Sequence, residues 1–377
     1  MRHILYVSGT RADFGLMALS LQNMHADLRI ELGILITGMH LDSRYGDTFK
    51  DIELAGLQIS AKVPVDVKTR TRASMSQGLG QSIIGMTNEI TRLNPDAVLL
   101  LGDRGEMLAA ALVCLHLSIP IFHIHGGELS GTIDESIRHC ISRLATWHLV
   151  ATEGSRERLI RMGERPNSIV VSGAPGLDGF VELADPDSRA LLNRCGLNPE
   201  AAFVLVVFHP VVQQAEVAAA QTQLLADAVM TLGLQVLWVA PNSDAGSAAI
   251  VDKLEQLANE SHTLSVKSHL SRSDFSTAIK HCKVMVGNSS SGIIEAASFG
   301  TPVVNVGDRQ MLRERNDNVY DSVCVKKDIQ NSLLQAVSRG TCPMKNIYGS
   351  GNACQIITEL LATASLDKAL LSKVNAY

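Results

Sequence analysis

The chain has 377 residues, 46% of them hydrophobic and 19% charged, which suits two domains of ordinary size and excludes a disordered protein. Lys and Arg total 33 against 38 Asp and Glu, a net charge of −5, so no broad basic field for nucleic acid exists and any anionic partner must be met by a few local groups. Seven cysteines, odd in number and without a C-x-x-C pair, read as reduced thiols. With no basic leader and no apolar run near the ~20 residues of a membrane span, the expected setting is a soluble protein of the cytoplasm without a membrane partner.

Short β-branched or leucine-rich runs alternate with longer amphipathic stretches, the pattern of βα units around a mostly parallel sheet. Strands are predicted at 3–8, 31–37, 97–101, 120–125, 148–151 and 168–172, and helices at 16–24, 75–93, 106–117, 134–145 and 155–162. The glycines and proline of 173–179 break this rhythm. A second series of strands follows at 203–208, 235–240, 263–266, 284–286 and 303–306. The expected fold class is α/β, with two Rossmann-like doubly wound domains facing a cleft. The first spans 1–173, a connection occupies 174–200, the second spans 201–360, and a C-terminal helix at 361–377 packs back on the first domain. Sheets of this kind place ligands in the loops beyond the carboxyl ends of their strands.

Those loops carry the titratable residues. The first strand ends in Gly9-Thr10-Arg11-Ala12-Asp13, which is neither a P-loop nor a G-x-G-x-x-G turn; Arg11 either clamps a phosphate or is solvated while Asp13 caps the next helix. Asp103 and Arg104 follow a buried strand between glycines, where they either act on a ligand or cap the helix and pair with each other. His123 and His125, two apart, share a strand face ahead of Gly126-Gly127-Glu128, a density that suits acid–base work or metal binding. On the following helix Asp134 and Arg138, and Glu135 and His139, are i,i+4 pairs on one ionisable face.

In the second half His209 closes a strand, and the stretch containing Asn242 offers helix caps. The strongest local pattern is Gly287-Asn288-Ser289-Ser290-Ser291 running from a strand into a helix start with Glu295 one turn on. Backbone N–H groups, hydroxyls and the helix dipole would converge on an anion, and Glu295 would accept hydrogen bonds from ribose hydroxyls. Phosphate and ribose together imply a nucleotide held without a basic patch or a metal.

With these motifs the sequence resembles the UDP-N-acetylglucosamine 2-epimerase family, and within it the hydrolysing branch that makes precursors of sialic and related acids. The resemblance runs from Gly9-Thr10-Arg11 to Gly351-Asn352-Ala353 and rests on Gly126-Gly127-Glu128, Ser130-Gly131-Thr132-Ile133-Asp134 and Gly287-Asn288-Ser289-Ser290. It implies the glycosyltransferase-B architecture, no cofactor, no metal, a UDP-sugar as partner and a homodimer or homotetramer. It also implies that Arg11, His209, Asn242, Ser289, Ser290 and Glu295 hold UDP, joined by Arg104 and Arg309. Asp103, His125 and Asp134 match the catalytic positions, with Glu128 and Arg138 beside them.

The implied reaction is anti elimination of UDP to a 2-acetamidoglucal followed by rehydration, converting UDP-N-acetylglucosamine and water to N-acetylmannosamine and UDP. One departure bears on the sugar. The sialic-acid enzymes carry Glu where this chain has His125, and the His-Ile-His-Gly-Gly-Glu form looks more like enzymes acting on UDP-N,N′-diacetylbacillosamine for legionaminic acid. A glycosyltransferase of the same architecture is the more distant alternative.

Overall fold

A computed structural model describes residues 1–66, 72–130, 133–241 and 246–376. The chain divides into two compact units: Met1–Glu128 with Ile133–Asp178 and Tyr348–Tyr377, and Leu129–Thr132 with Gly179–Ile347.

Among the described residues, the first unit is built on a seven-stranded parallel sheet: β1 (Arg2–Ser8), β2 (Ile30–Thr37), β3 (Ile59–Val63), β4 (Ala97–Leu101), β5 (Ile121–Ile124), β6 (Trp147–Val150) and β7 (Ile169–Val171). Their order is β3-β2-β1-β4-β5-β6-β7, so the winding reverses between β1 and β4. Alternate strand residues bury on opposite faces. Ile4, Tyr6, Ile34 and Leu99 pack with Met17, Leu21, Ile357 and Leu361 from the helices Arg11–Ala26 and Ala353–Thr363. Leu5, Val7, Leu35 and Val98 pack with Met86, Ile90, Met107 and Cys114 from the helices Arg72–Leu93 and Gly105–Leu117.

The second unit repeats the plan with six parallel strands among the described residues: β8 (Phe203–Val207), β9 (Gln235–Val239), β10 (Leu264–Lys267), β11 (Met285–Gly287), β12 (Val303–Val306) and β13 (Val319–Ser322). Their order is β10-β9-β8-β11-β12-β13, with the reversal between β8 and β11. Each sheet therefore has a topological switch point, the place where doubly wound sheets bind ligands. No helix among the described residues is long and apolar enough to cross a membrane.

Three features differ from the sequence expectation. Strands β3 and β13 were not predicted; both lie at sheet edges and keep exposed positions, so neither shows the continuous apolar run of a strand buried on both faces. The first unit reclaims the chain at Tyr348 rather than at 361, and its last α-helix is Ala353–Thr363, followed by a short 3-10 turn at Lys368–Leu371. Buried Asp178 fixes that return by accepting hydrogen bonds from the N–H groups of Ala353 (2.9 Å) and Cys354 (2.5 Å), capping the helix from 175 residues away. The expected connection is also shorter, because the crossing into the second unit falls at Asp178 and Gly179 and the helix Arg189–Cys195 already belongs to that unit.

Candidate active site

In the first unit, Thr10 and Asp13 form a capping box at the start of the helix Arg11–Ala26, the capping role foreseen for Asp13. Asp13 also accepts from the Ser8 hydroxyl and from the N–H groups of Gly9 (3.0 Å) and Thr10 (2.9 Å), and burial pushes its carboxyl up to about 6. Arg11 stands on the exposed side of this turn with its Nε 2.8 Å from Asp51. After β4, Arg104 lies 3.5 Å from Glu106.

Asp103 pairs with Arg138, whose guanidinium is 1% exposed and also donates to the Glu128 carbonyl (2.9 Å). One arginine thus joins the loop after β4, the loop after β5 and the helix Ile133–Leu144. Asp134 sits half-buried in the first turn of that helix, one turn before Arg138. Glu135 and His139 form the foreseen pair along it at 3.7 Å.

The two histidines after β4 do not share a face. β5 ends at Ile124, and His125 takes a left-handed backbone, φ +65, which turns its side chain out of the strand alternation. There its Nδ1 lies 3.5 Å from Glu128, an imidazole–carboxylate couple of low exposure (12% and 3%). His123 stays within β5, fully buried, with Nε2 2.8 Å from the Gly102 carbonyl and Nδ1 3.1 Å from Ser142 Oγ. Both ring nitrogens are engaged, so His123 is not a metal ligand. Asp103, Arg138, His125 and Glu128 are therefore gathered at the carboxyl ends of β4 and β5.

In the second unit the switch point is clamped by Asn288, which belongs to the sequence motif but has no role assigned from it. Its Oδ1 accepts from the His209 N–H (2.7 Å) and its Nδ2 donates to the His209 carbonyl (2.8 Å). Its own carbonyl accepts from Arg309 (3.1 Å) and Gln310 (3.3 Å). Gly287 before it has φ +136, and a Cβ there would stand 2.0 Å from the Val207 carbonyl oxygen, so only glycine lets β8 and β11 meet this closely. Burial, reinforced by the Arg309 charge, holds the His209 imidazole down at about 3.

Ser289 caps the next helix, accepting from the Ser291 N–H (3.4 Å) and bonding the Ser291 hydroxyl (2.8 Å). That helix is only Ser290–Ile294, followed by a 3-10 turn at Ala296–Phe299. The expected contribution of a long helix dipole is therefore small, and the donors available are local hydroxyls and N–H groups. Glu295 ends it, 7% exposed, with Oε2 lacking a hydrogen-bond partner among the described residues. Burial pushes its carboxyl up to about 7 despite the nearby Arg272 and Arg313. A buried acceptor left open is suited to a donor supplied by a ligand. Asn242 lies outside the described residues.

Comparison with known proteins bears on the family and the fold. The chain is 43% identical over 377 residues, the full length of both chains, to the UDP-N,N′-diacetylbacillosamine 2-epimerase (hydrolyzing) of Legionella pneumophila. It is 33% identical to the UDP-N-acetylglucosamine 2-epimerase of Neisseria meningitidis serogroup B, over 93% of this chain and 92% of that one. A crystal structure of UDP-GlcNAc 2-epimerase from Neisseria meningitidis bound to UDP-GlcNAc superposes with a TM-score of 0.79 over 95% of this chain and 99% of that one, at 19% identity, a likeness of fold. Residues 22–362 match the family model for UDP-N-acetylglucosamine 2-epimerase, and the chain belongs to that family, on its hydrolysing branch.

Proposed function

We propose that this enzyme acts on UDP-N,N′-diacetylbacillosamine, releasing UDP and 2,4-diacetamido-2,4,6-trideoxymannose for legionaminic acid synthesis. The observation that carries the choice of sugar is the 43% identity over full length to the Legionella relative of that name, against 33% to the Neisseria relative named for UDP-N-acetylglucosamine. The His125 form of the Gly-Gly-Glu loop points the same way.

The reaction begins with removal of the C2 proton while the C1–O bond to UDP breaks, leaving a 2-acetamidoglucal. Water then adds, hydroxyl to C1 and a proton to C2 from the opposite face. His125 is assigned as the C2 base, since Glu128 on Nδ1 supplies the orienting carboxylate that such a base needs. Asp103, held by Arg138, and Asp134 are assigned to proton delivery and to positioning the water. Ser289, Ser290, His209 and Arg309 are assigned to the diphosphate, and the open oxygen of Glu295 to the ribose hydroxyls. Arg11 and Arg104 are assigned to the charge that develops on the leaving group.

Incubation in D₂O with each of the two UDP-sugars, followed by NMR, tests this. The expected result is free manno-configured sugar deuterated at C2, formed faster from the diacetylbacillosamine substrate. Hydrogen retained at C2 would sink the elimination step, and a preference for UDP-N-acetylglucosamine would overturn the assigned sugar.

A further inference from the structure

We propose that His123 is a positioning residue for this reaction: one buried imidazole fixes together the three segments that carry Asp103, His125 and Arg138. The catalytic part of this inference rests on the proposed function.

The first segment is the loop after β4. The carbonyl of Gly102, the residue before Asp103, can only accept a hydrogen bond, so the proton of His123 lies on Nε2, 2.8 Å away. The second segment is the helix Ile133–Leu144. With Nε2 protonated and the ring neutral, Nδ1 offers a lone pair, and Ser142 Oγ at 3.1 Å donates to it. Ser142 lies four residues after Arg138, on the same side of that helix. The third segment is the loop after β5. A Cβ on Gly126, the residue following His125, would stand 2.8 Å from Ser142 Oγ and 3.1 Å from His123 Nδ1, so this loop rests directly on the imidazole–hydroxyl bond. The first glycine of Gly126-Gly127 is thereby explained by Ser142 Oγ, with His123 behind it.

Burial keeps the ring neutral, with a pKa near 3; Arg138 and the neighbouring His148 push the same way, and the Gly102 bond and Asp103 oppose them. His148, paired with His123 across β5 and β6, is itself bonded to Glu164 (3.1 Å). Being fully buried, His123 touches no substrate, and its effect passes through the groups it holds.

The test compares His123→Phe, His123→Gln and Ser142→Ala in the full chain. Displacing reacting groups by about an ångström costs up to roughly 100-fold in rate, so His123→Phe is expected to lower kcat by about that factor while KM moves by less than about threefold. His123→Gln, whose amide can still donate to Gly102, should recover part of the loss. Ser142→Ala should lower kcat by about tenfold, and in that background the added loss from Gly126→Ala should shrink by at least about threefold because the clashing oxygen is gone. Nitrogen-15 NMR of the imidazole should show the Nε2–H form, unchanged from pH 5 to 8. A His123→Phe kcat within threefold of wild type overturns the inference, as does a parallel loss of kcat, UDP affinity and melting temperature, which marks a merely structural residue. A wild-type chain that turns over neither UDP-sugar overturns the functional reading and this inference with it.

Discussion

The two sheets share a strand order, but the carboxyl ends of their strands carry opposite chemistry. At β4 and β5 of the first unit stand ion pairs and titratable couples: Asp103 with Arg138, His125 with Glu128, Arg104 with Glu106. At β8 and β11 of the second unit stand an amide, hydroxyls and a histidine held neutral, with the buried Glu295 carboxylate, whose Oε2 has no hydrogen-bond partner among the described residues. The first set is rich in charged pairs suited to moving protons, and the second is mostly neutral donors and acceptors suited to holding a polar ligand. A shared fold thus gives a place for a site, and the loops decide whether that place binds or reacts.

The largest effect is expected where the comparison is sharpest. Asp103→Asn preserves shape while removing the charge that meets Arg138, and kcat should fall by roughly 10²–10⁴. UDP affinity, in which Asp103 has no assigned contact, should stay within about twofold by titration calorimetry. Loss of both together would break the division of labour.

His125→Gly tests the same unit differently. Left-handed backbone at a non-glycine residue costs of order 1–3 kcal/mol, so glycine should raise the melting temperature while kcat drops by roughly 10² or more. A fall in both would show that the His125 conformation is not held against strain.

What the sequence revealed follows from which interactions are local. β1, β4 and β8 were legible because strands buried on both faces are unbroken apolar runs, whereas β3 and β13, half-exposed at edges, were not. The loops bearing Asp103, His125 and Ser289 were legible as glycine-flanked ends of such strands. The partners were not. His123 was read as a neighbour of His125 because its bonds to Gly102 and Ser142 span 21 and 19 residues. The Asn288 clamp on His209 spans 79, and no pattern of local spacing announces it. The left-handed turn at His125 likewise has no glycine to signal it.

Glu295→Gln probes the buried carboxylate of the second unit whose Oε2 has no hydrogen-bond partner among the described residues. UDP should bind about 10–100-fold more weakly, the worth of hydrogen bonds to a charged acceptor, while kcat at saturation stays within about threefold. The pH dependence has a definite sign. A carboxyl raised from 4.5 to about 7 by folding contributes its full stability below 4.5 and loses it as pH rises through 7. The free wild-type protein should therefore lose melting temperature between pH 5 and pH 8 relative to Glu295→Gln, and bound UDP should narrow that gap by donating to the carboxylate. A gap that does not change with pH would remove Glu295 from the ribose assignment.

The smallest effect separates two adjacent serines. Ser289 already serves the fold as a cap, whereas the half-buried hydroxyl of Ser290 makes no hydrogen bond among the described residues. Ser289→Ala should therefore lower stability by about 1 kcal/mol as well as weaken UDP, because the capping acceptor is lost. Ser290→Ala should leave the melting temperature unchanged and weaken UDP by about threefold to tenfold, the net worth of one hydroxyl hydrogen bond. Titration calorimetry with UDP and thermal melting of both variants distinguish them. If Ser290→Ala binds UDP as tightly as wild type, the diphosphate is held by N–H groups and by His209 and Arg309 alone, and the hydroxyl run that marked this loop in the sequence is there for the turn rather than for the ligand.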